Sequence, residues 1–185
     1  MKTKFILYGG FNPEQVVIDN SDFSKEVLRD APENAKVLVV PFAKEADRVL
    51  PTFERVRSEL NTSKSQNNII IEMANEENFI QQLRSADVVY FQGGATFKLL
   101  EALKKYPNLD QSLKGKTIAG DSAGGNVLCS YFYSPRTDEV LEGLGIVPVK
   151  MIPHYKEEYK NKFDLIGSDL ETVLLPEYTY KVFYT

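Results

Sequence analysis

Histidine and cysteine are almost missing from this sequence of 185 residues, which contains one of each, His154 and Cys129. A single cysteine excludes a disulfide within the chain, and the two side chains together are too few for a structural zinc site. A cation site made of carboxylates alone stays open, but the sequence implies no cofactor, and we predict neither a metal nor a cofactor. Because histidine exchanges protons near neutral pH, His154 is the candidate for any acid–base chemistry.

An excess of basic residues is also missing, because 22 lysines and arginines stand against 26 acidic residues, for a formal net charge of -4. Nucleic acids are bound through basic surfaces, so we predict that nucleic acid is not a partner. The glycine-rich phosphate-binding strings G-x-x-x-x-G-K-[ST] and G-x-G-x-x-G do not occur either.

Long apolar runs are the third absence. The longest run, Val37 to Ala43, is far shorter than the ~18 residues that a membrane helix needs. The apolar stretch Phe5 to Tyr8, which follows a basic start, is too short for the core of a signal peptide. We therefore expect a cytoplasmic protein that makes no membrane contact.

Short apolar runs alternate with helical patterns along the chain, which is typical of βαβ units and a mostly parallel sheet. The length favours one domain over residues 1–185, at ~150 residues per domain. We predict an α/β fold, a single doubly wound domain flanked by helices, with ligands bound at the carboxyl ends of the strands. The predicted strands cover residues 4–8, 36–41, 68–72, 87–91, 116–119, 131–133, 147–152, 172–175 and 179–184.

Apolar residues spaced three and four apart predict three amphipathic helices. The first helix contains Pro51 in its first turn, where the missing N–H costs nothing. The apolar positions are 49, 53, 56 and 60 in the first helix, 97, 99, 100 and 103 in the second, and 163, 165 and 166 in the third.

The strongest local motif is Gly120-Asp121-Ser122-Ala123-Gly124, which matches G-x-S-x-G. An apolar strand precedes it and a short helical segment follows, which is the context of a nucleophile elbow. Glycine is needed at positions 120 and 124 because a sharp turn leaves no room there for a Cβ atom. The alternative is an ordinary turn from strand to helix, with Ser122 as the helix N-cap.

A serine hydroxyl becomes nucleophilic only when a base within hydrogen-bond distance takes its proton. His154 ends a later apolar run, so we predict that it lies at the same sheet edge as Ser122 and serves as the base. In the order Ser, acid, His, the orienting carboxylate lies between them. Asp138, Glu139 and Glu142 are available there, and we predict Asp138, with a solvated loop acid as the alternative.

A second glycine pair, Gly93 and Gly94, also stands between an apolar strand and a helix. Free N–H groups at such a position can bind a developing oxyanion, together with the N–H of Ala123. The alternative is a plain helix start that Thr96 caps.

Four segments resemble the dipeptidase E and cyanophycinase family of serine peptidases. Residues 93–100 resemble its G-G-N-T-F-x-L-L segment and residues 120–126 its G-x-S-A-G-A-N elbow. Residues 143–155 resemble its G-L-x-L and P-H-[FY] segment, and 175–177 a further segment before the last strand. The resemblance implies a class I glutamine amidotransferase-like fold, with Ser122 as nucleophile and His154 as base. We place Glu177, from the last segment, among the substrate-binding residues.

Two departures from the family pattern bear on the substrate. Ala95 stands where the family segment has Asn, and no arginine follows His154, since the last one in the chain is Arg136. In the aspartyl dipeptidase branch an arginine after the histidine holds the aspartate side chain, and lysine does not replace a guanidinium fork. We therefore do not expect a preference for Asp-x dipeptides.

These observations favour a serine peptidase that acts on short peptides and is a monomer or homodimer. Two alternatives stay open. One is a catalytically weak or inactive family member that serves as a binding or regulatory module, and the other is an esterase or amidase that uses the same residues on a non-peptide acyl substrate.

Overall fold

The computed structural model describes residues 2–11, 20–63, 68–166 and 169–185 of the chain. Within these ranges, six strands form the first sheet in the order β10-β1-β5-β4-β2-β3, when all strands are numbered along the chain. All neighbours are parallel except β10, which runs antiparallel to β1. The strands are β1 (Lys4–Tyr8), β2 (Ala35–Val40), β3 (Ile69–Met73), β4 (Val88–Phe91), β5 (Thr117–Asp121) and β10 (Tyr180–Tyr184).

Helices cover both faces of this sheet, which explains why β1, β4 and β5 are buried along their whole length. One face packs against α1 (Ser21–Leu28) and α2 (Ala46–Ser63). The other face packs against α3 (Phe79–Ser85), α4 (Thr96–Lys104), α5 (Leu109–Leu113) and α6 (Ala123–Leu128). The predicted α/β class, with mostly parallel strands flanked by helices, is confirmed.

The four remaining strands form a second sheet, in the order β7-β6-β8-β9. They are β6 (Cys129–Ser134), β7 (Glu139–Glu142), β8 (Val147–Pro153) and β9 (Glu171–Leu175). The prediction put the strands into one sheet. The chain instead turns out of the first sheet through α6, and β8 pairs with β6 and β9 rather than with any strand of the first sheet.

Two of the predicted helices form, with differences in detail. The first, α2, buries Phe53, Val56 and Leu60 as expected, but Pro51 lies in its second turn. The second, α4, leaves Phe97 half exposed. The third is wrong, because residues 157–166 form a 3-10 turn and further turns that bury Phe163 and leave Leu165 in solvent.

The carboxyl ends of strands from both sheets meet at one place. The N–H of Ser122, after β5, donates to Tyr8 O at 3.0 Å, and the N–H of His154, after β8, donates to Gly9 O at 2.8 Å. Residues 176–179 carry the chain from β9 in the second sheet to β10 in the first. Among the described residues, no helix is both long and apolar enough to cross a bilayer.

Candidate active site

Ser122 occupies a strained turn between β5 and α6, with φ 45° and ψ -100°. Such a conformation is costly for a residue with a Cβ atom and occurs at functional sites. The turn is also crowded. A Cβ atom on Gly120 would lie 2.6 Å from Gly125 N, and one on Gly124 would lie 2.2 Å from Phe91 O. The predicted need for glycine at positions 120 and 124 is confirmed.

The hydroxyl of Ser122 does not cap the helix that it precedes. Ser122 holds the N-cap position of α6 but makes no side-chain capping bond. Its Oγ lies 3.0 Å from His154 Nε2 instead. The geometry therefore favours the nucleophile elbow over the plain N-cap turn.

The turn that follows β1 contacts His154 and holds it in place. The backbone of His154 is left-handed, with φ 49°, and its N–H donates to Gly9 O. The imidazole rests on Gly10, which has φ 94°, and a Cβ atom there would lie 2.4 Å from His154 Cε1. Glycine at position 10 is thus required for the ring to reach Ser122.

The carboxylate beside His154 belongs to Glu177, in the connection between the two sheets. Its Oε1 lies 3.2 Å from His154 Nδ1, and the Glu177 side chain is 30% exposed. The arrangement leaves His154 Nε2 for Ser122 and Nδ1 for the carboxylate. The motif at residues 175–177 predicts Glu177 as a substrate-binding residue, whereas the structure places its carboxylate beside His154.

Asp138 does not lie beside His154, so the expected third member needs correction. It sits in the turn before β7, where it accepts hydrogen bonds from Tyr133 Oη at 2.7 Å and Lys162 Nζ at 2.5 Å. Lys162 holds the pKa of Asp138 below its usual value. Glu139 and Glu142 are the exposed ends of β7. The expected order, with the acid between Ser and His, fails because the crossing between sheets brings a later residue to the ring.

One of the three predicted oxyanion donors is already engaged in a hydrogen bond. The N–H of Gly93 donates to Asp121 Oδ2 at 3.4 Å. The N–H of Gly94 forms no hydrogen bond with any described residue, and that of Ala123 belongs to the open first turn of α6. Thr96 does not cap α4, since its Oγ1 accepts from Asn126 Nδ2 at 3.3 Å.

Asp121 is a buried carboxyl group directly before Ser122, with 3% of the residue exposed. Burial raises its pKa, while Arg55, Lys44 and the Gly93 N–H act in the opposite direction. Asp121 fills the variable position of the G-x-S-x-G motif, so the sequence predicts no role for it.

Two cations from the first half of the chain lie near Asp121. Arg55, on α2, pairs with Glu59 at 2.6 Å and stacks over the Phe11 ring at 4.1 Å. Lys44 follows β2 and is half-buried, which lowers its pKa, and its Nζ has no carboxylate partner among the described residues. Neither residue belongs to a motif, so the sequence does not predict a place for them near the site.

Within the ranges that the structure describes, histidine, cysteine and carboxylate side chains do not gather in a group of three able to hold a metal ion. Cys129 is buried, and burial raises the pKa of its thiol, which disfavours the reactive thiolate.

Comparison with known families gives one match that covers most of the chain. The model of peptidase family S51 matches residues 9–171. That range includes the elbow, the Gly93–Gly94 turn and His154.

Two curated relatives are similar over a shorter stretch. Peptidase E of Shewanella amazonensis is 33% identical over 86 residues, which is 42% of this chain and 37% of that protein. Peptidase E of Shewanella oneidensis is 36% identical over 84 residues, 40% of this chain and 36% of that protein. The matched stretch thus spans just over a third of each relative's length.

Two solved structures resemble the whole fold. A peptidase from an acI-B1 actinobacterium superposes with a TM-score of 0.68 at 21% identity, over 98% of this chain and 83% of that chain. A putative peptidase E protein from Listeria monocytogenes superposes with a TM-score of 0.66 at 18% identity, over 100% of this chain and 98% of that chain. At these identities the likeness concerns the fold.

Proposed function

Because the chain belongs to peptidase family S51, we propose that it is a serine peptidase that hydrolyses short peptides through Ser122, His154 and Glu177. One observation carries the proposal. Ser122 Oγ lies 3.0 Å from one imidazole nitrogen of His154, and the Glu177 carboxylate lies 3.2 Å from the other. This is the geometry of nucleophile, base and orienting acid.

In the acylation step, His154 Nε2 takes the proton of the Ser122 hydroxyl while Oγ attacks the peptide carbonyl carbon. The imidazolium then gives that proton to the leaving amine as the peptide C–N bond breaks. Water attacks the resulting ester with His154 again as base, which releases the acid and restores Ser122. Glu177 accepts the Nδ1 hydrogen and stabilises the imidazolium through both steps.

The tetrahedral intermediate carries an oxyanion that needs hydrogen-bond donors. The N–H groups of Gly94 and Ala123 are the donors we assign to it, because Gly93 already donates to Asp121. The start of α6 adds its positive dipole end at the same place.

A fluorophosphonate probe tests whether Ser122 is activated. We expect stoichiometric labelling of the wild-type protein and none of Ser122→Ala. Absence of labelling at pH 8 would contradict the proposal and favour a binding or regulatory module. Rates on matched peptide and ester substrates then separate a peptidase from an esterase or amidase, since only a peptidase cleaves the peptide series efficiently.

Glu177→Gln and Asp138→Asn form a matched pair that tests the acid. Both exchange a carboxylate for an amide, but only Glu177 contacts His154. We expect kcat to fall ~10²-fold or more in Glu177→Gln and to stay within about twofold in Asp138→Asn. The reverse result would return the role to Asp138.

For the acyl side, we expect no preference for an N-terminal aspartate, because the chain has no arginine after His154. The measurement is kcat/KM on Asp-Leu, Asn-Leu, Ala-Leu and Leu-Leu. A preference of ~10²-fold for Asp-Leu would contradict the expectation. Lys44→Met would then show whether the half-buried Lys44 supplies the missing cation.

A further inference from the structure

We propose that Asp121 is a positioning residue: its buried carboxyl group accepts the Gly93 N–H and so holds the Gly93–Gly94 turn, with the Gly94 N–H directed to the oxyanion. The inference rests on the proposed function, since the turn matters for catalysis only if Ser122 performs acyl transfer. Asp121 is a buried polar group that takes no part in the proposed reaction steps.

The strand register brings Asp121 under the turn. In the parallel pairing of β4 with β5, Phe91 lies beside Gly120, so Gln92 and Gly93 leave the sheet next to Asp121, the last residue of β5. Asp121 Oδ2 is 3.4 Å from Gly93 N, and a Cβ atom on Gly93 would lie 3.1 Å from the same oxygen. The carboxyl group of Asp121 therefore contacts the Gly93–Gly94 turn directly.

The turn has a firm hold on its other side. Ala95 N–H donates to Ala43 O at 2.9 Å, Gln92 N–H donates to Val40 O at 3.1 Å, and a Cβ atom on Gly94 would lie 2.4 Å from Ala43 O. These contacts fix the turn to the end of β2, which lies on the opposite side of β4 from β5. Among the described residues, Asp121 supplies the side-chain bond that fixes the turn toward Ser122.

An acceptor oxygen, rather than a negative charge, is what this role needs. A buried carboxylate beside the nucleophile would repel the developing oxyanion if its charge were not offset. Lys44 and Arg55 offset it, and Tyr8, Tyr90 and His154 also face this region. An amide oxygen at position 121 would accept the same hydrogen bond without the charge.

The test compares Asp121→Asn, which keeps an acceptor, with Asp121→Leu and Asp121→Ala, which remove it. We expect kcat on a peptide substrate to stay within about tenfold in the Asn variant. In the Leu and Ala variants it falls about 10²-fold, the effect of losing one oxyanion donor, while KM changes by less than about threefold. The Ala variant avoids crowding, so it serves if the Leu variant does not fold.

Asp87→Leu is the matched control, because Asp87 accepts a backbone N–H, from Lys36 at 2.8 Å, at the opposite end of β4. It is expected to leave kcat unchanged. If the Asn variant is as slow as the Leu and Ala variants, or if these keep the wild-type kcat, the positioning role is wrong.

Amide hydrogen exchange separates this proposal from the proposed function. Exchange at Gly93, whose N–H bonds to Asp121, is expected to rise about tenfold in Asp121→Leu and Asp121→Ala, and to stay unchanged in Asp121→Asn and Asp87→Leu. The exchange can be measured whether or not the wild-type protein reacts with a fluorophosphonate. If the wild-type protein is not labelled but the exchange pattern is as expected, only the proposed peptidase function is wrong. If exchange is unchanged in the Leu and Ala variants, Asp121 does not hold the turn.

Discussion

The two ends of the six-stranded sheet differ in how their polar groups are paired and in the strain of their backbone. At the amino end, Lys4 Nζ is buried and pairs with Glu26 and Asp30 at 2.7 Å each, and Lys116 Nζ donates to Ala86 O at 2.6 Å. At the carboxyl end, Ser122 and His154 hold left-handed backbones, and Asp121 is buried with one long hydrogen bond.

A large cavity is often taken to mark a binding site, but here cavity size does not point to the end that carries Ser122 and His154. A cleft of about 840 Å³ opens at the amino end, lined by Lys4, Asp87 and Lys116 among others. These three groups are engaged in ion pairs or hydrogen bonds, so they stabilise the fold. Backbone strain and incomplete pairing of polar groups, rather than cavity volume, therefore mark the end of the sheet that carries the proposed active site.

The variant Ser122→Gly has the largest expected effect and tests whether the strain at the carboxyl end serves activity rather than stability. We expect hydrolysis to fall ~10³-fold or more, because the nucleophile is gone. Stability should rise by about 1 kcal/mol, because glycine adopts φ 45° and ψ -100° with little strain. Activity assays and urea unfolding measure the two effects. Ser122→Ala is the control that keeps the strain, and equal stability of both variants would contradict the strain argument.

At the amino end, Lys4→Met should cost about 3 kcal/mol, the low end for breaking a buried ion pair, since Glu26 keeps Arg29 as a partner. Burial lowers the pKa of Lys4, but hydrogen bonds to Asp30 and Glu26 outweigh it and raise the pKa. The contribution of the pair is therefore complete below pH 10.5 and is lost as the pH rises above that value. Unfolding at pH 7 and 11 checks this, and kcat/KM should not change.

Gly10→Ala tests the support under the imidazole. The new methyl group would lie 2.4 Å from His154 Cε1, so the ring must move away from Ser122. We expect kcat to fall about 10²-fold, as a displacement of about 1 Å does to a catalytic group. Gly145→Ala, at φ 66° and without close neighbours, is the control for backbone strain alone. A similar loss of activity in both would mean that His154 is not displaced.

The smallest expected effect is a gain in stability from Asp121→Asn. Burial raises the pKa of Asp121, so its ionised form destabilises the folded state. The Asn variant should be slightly more stable than wild type above the raised pKa. This advantage should fade as the pH falls to 3.8, the ordinary value of the carboxyl group. A stability loss at neutral pH would place Asp121 with the well-paired groups of the amino end.

Local patterns sufficed for much of the fold and for two of the three residues of the proposed triad. The elbow at Ser122 could be predicted because crowding at a sharp turn leaves a glycine signature in the sequence. His154 was identifiable as the single histidine after a strand. Apolar spacing was enough for α2, whose buried face is the predicted one.

Long-range connectivity was not readable in the same way. The position of Glu177 depends on β9 and β10 belonging to different sheets, and no local pattern states which sheet a strand joins. The strand β7 was missed because its acidic ends look like a solvated loop. The third helix failed because Phe163 packs against Tyr133 and Ile152 from a turn, so its burial carries no helical period.

The crossing of residues 176–179 from one sheet to the other has a consequence for the order of folding. Gly9 N–H donates to Thr179 O, and Tyr178 N–H donates to Gly10 O, so Glu177 is held in place only where the two distant ends of the chain have paired. Contacts between such remote segments form slowly, because their loop-closure entropy is large. In refolding, enzymatic activity is therefore expected to return after the helical circular-dichroism signal, which makes it a reporter of the last contacts to form.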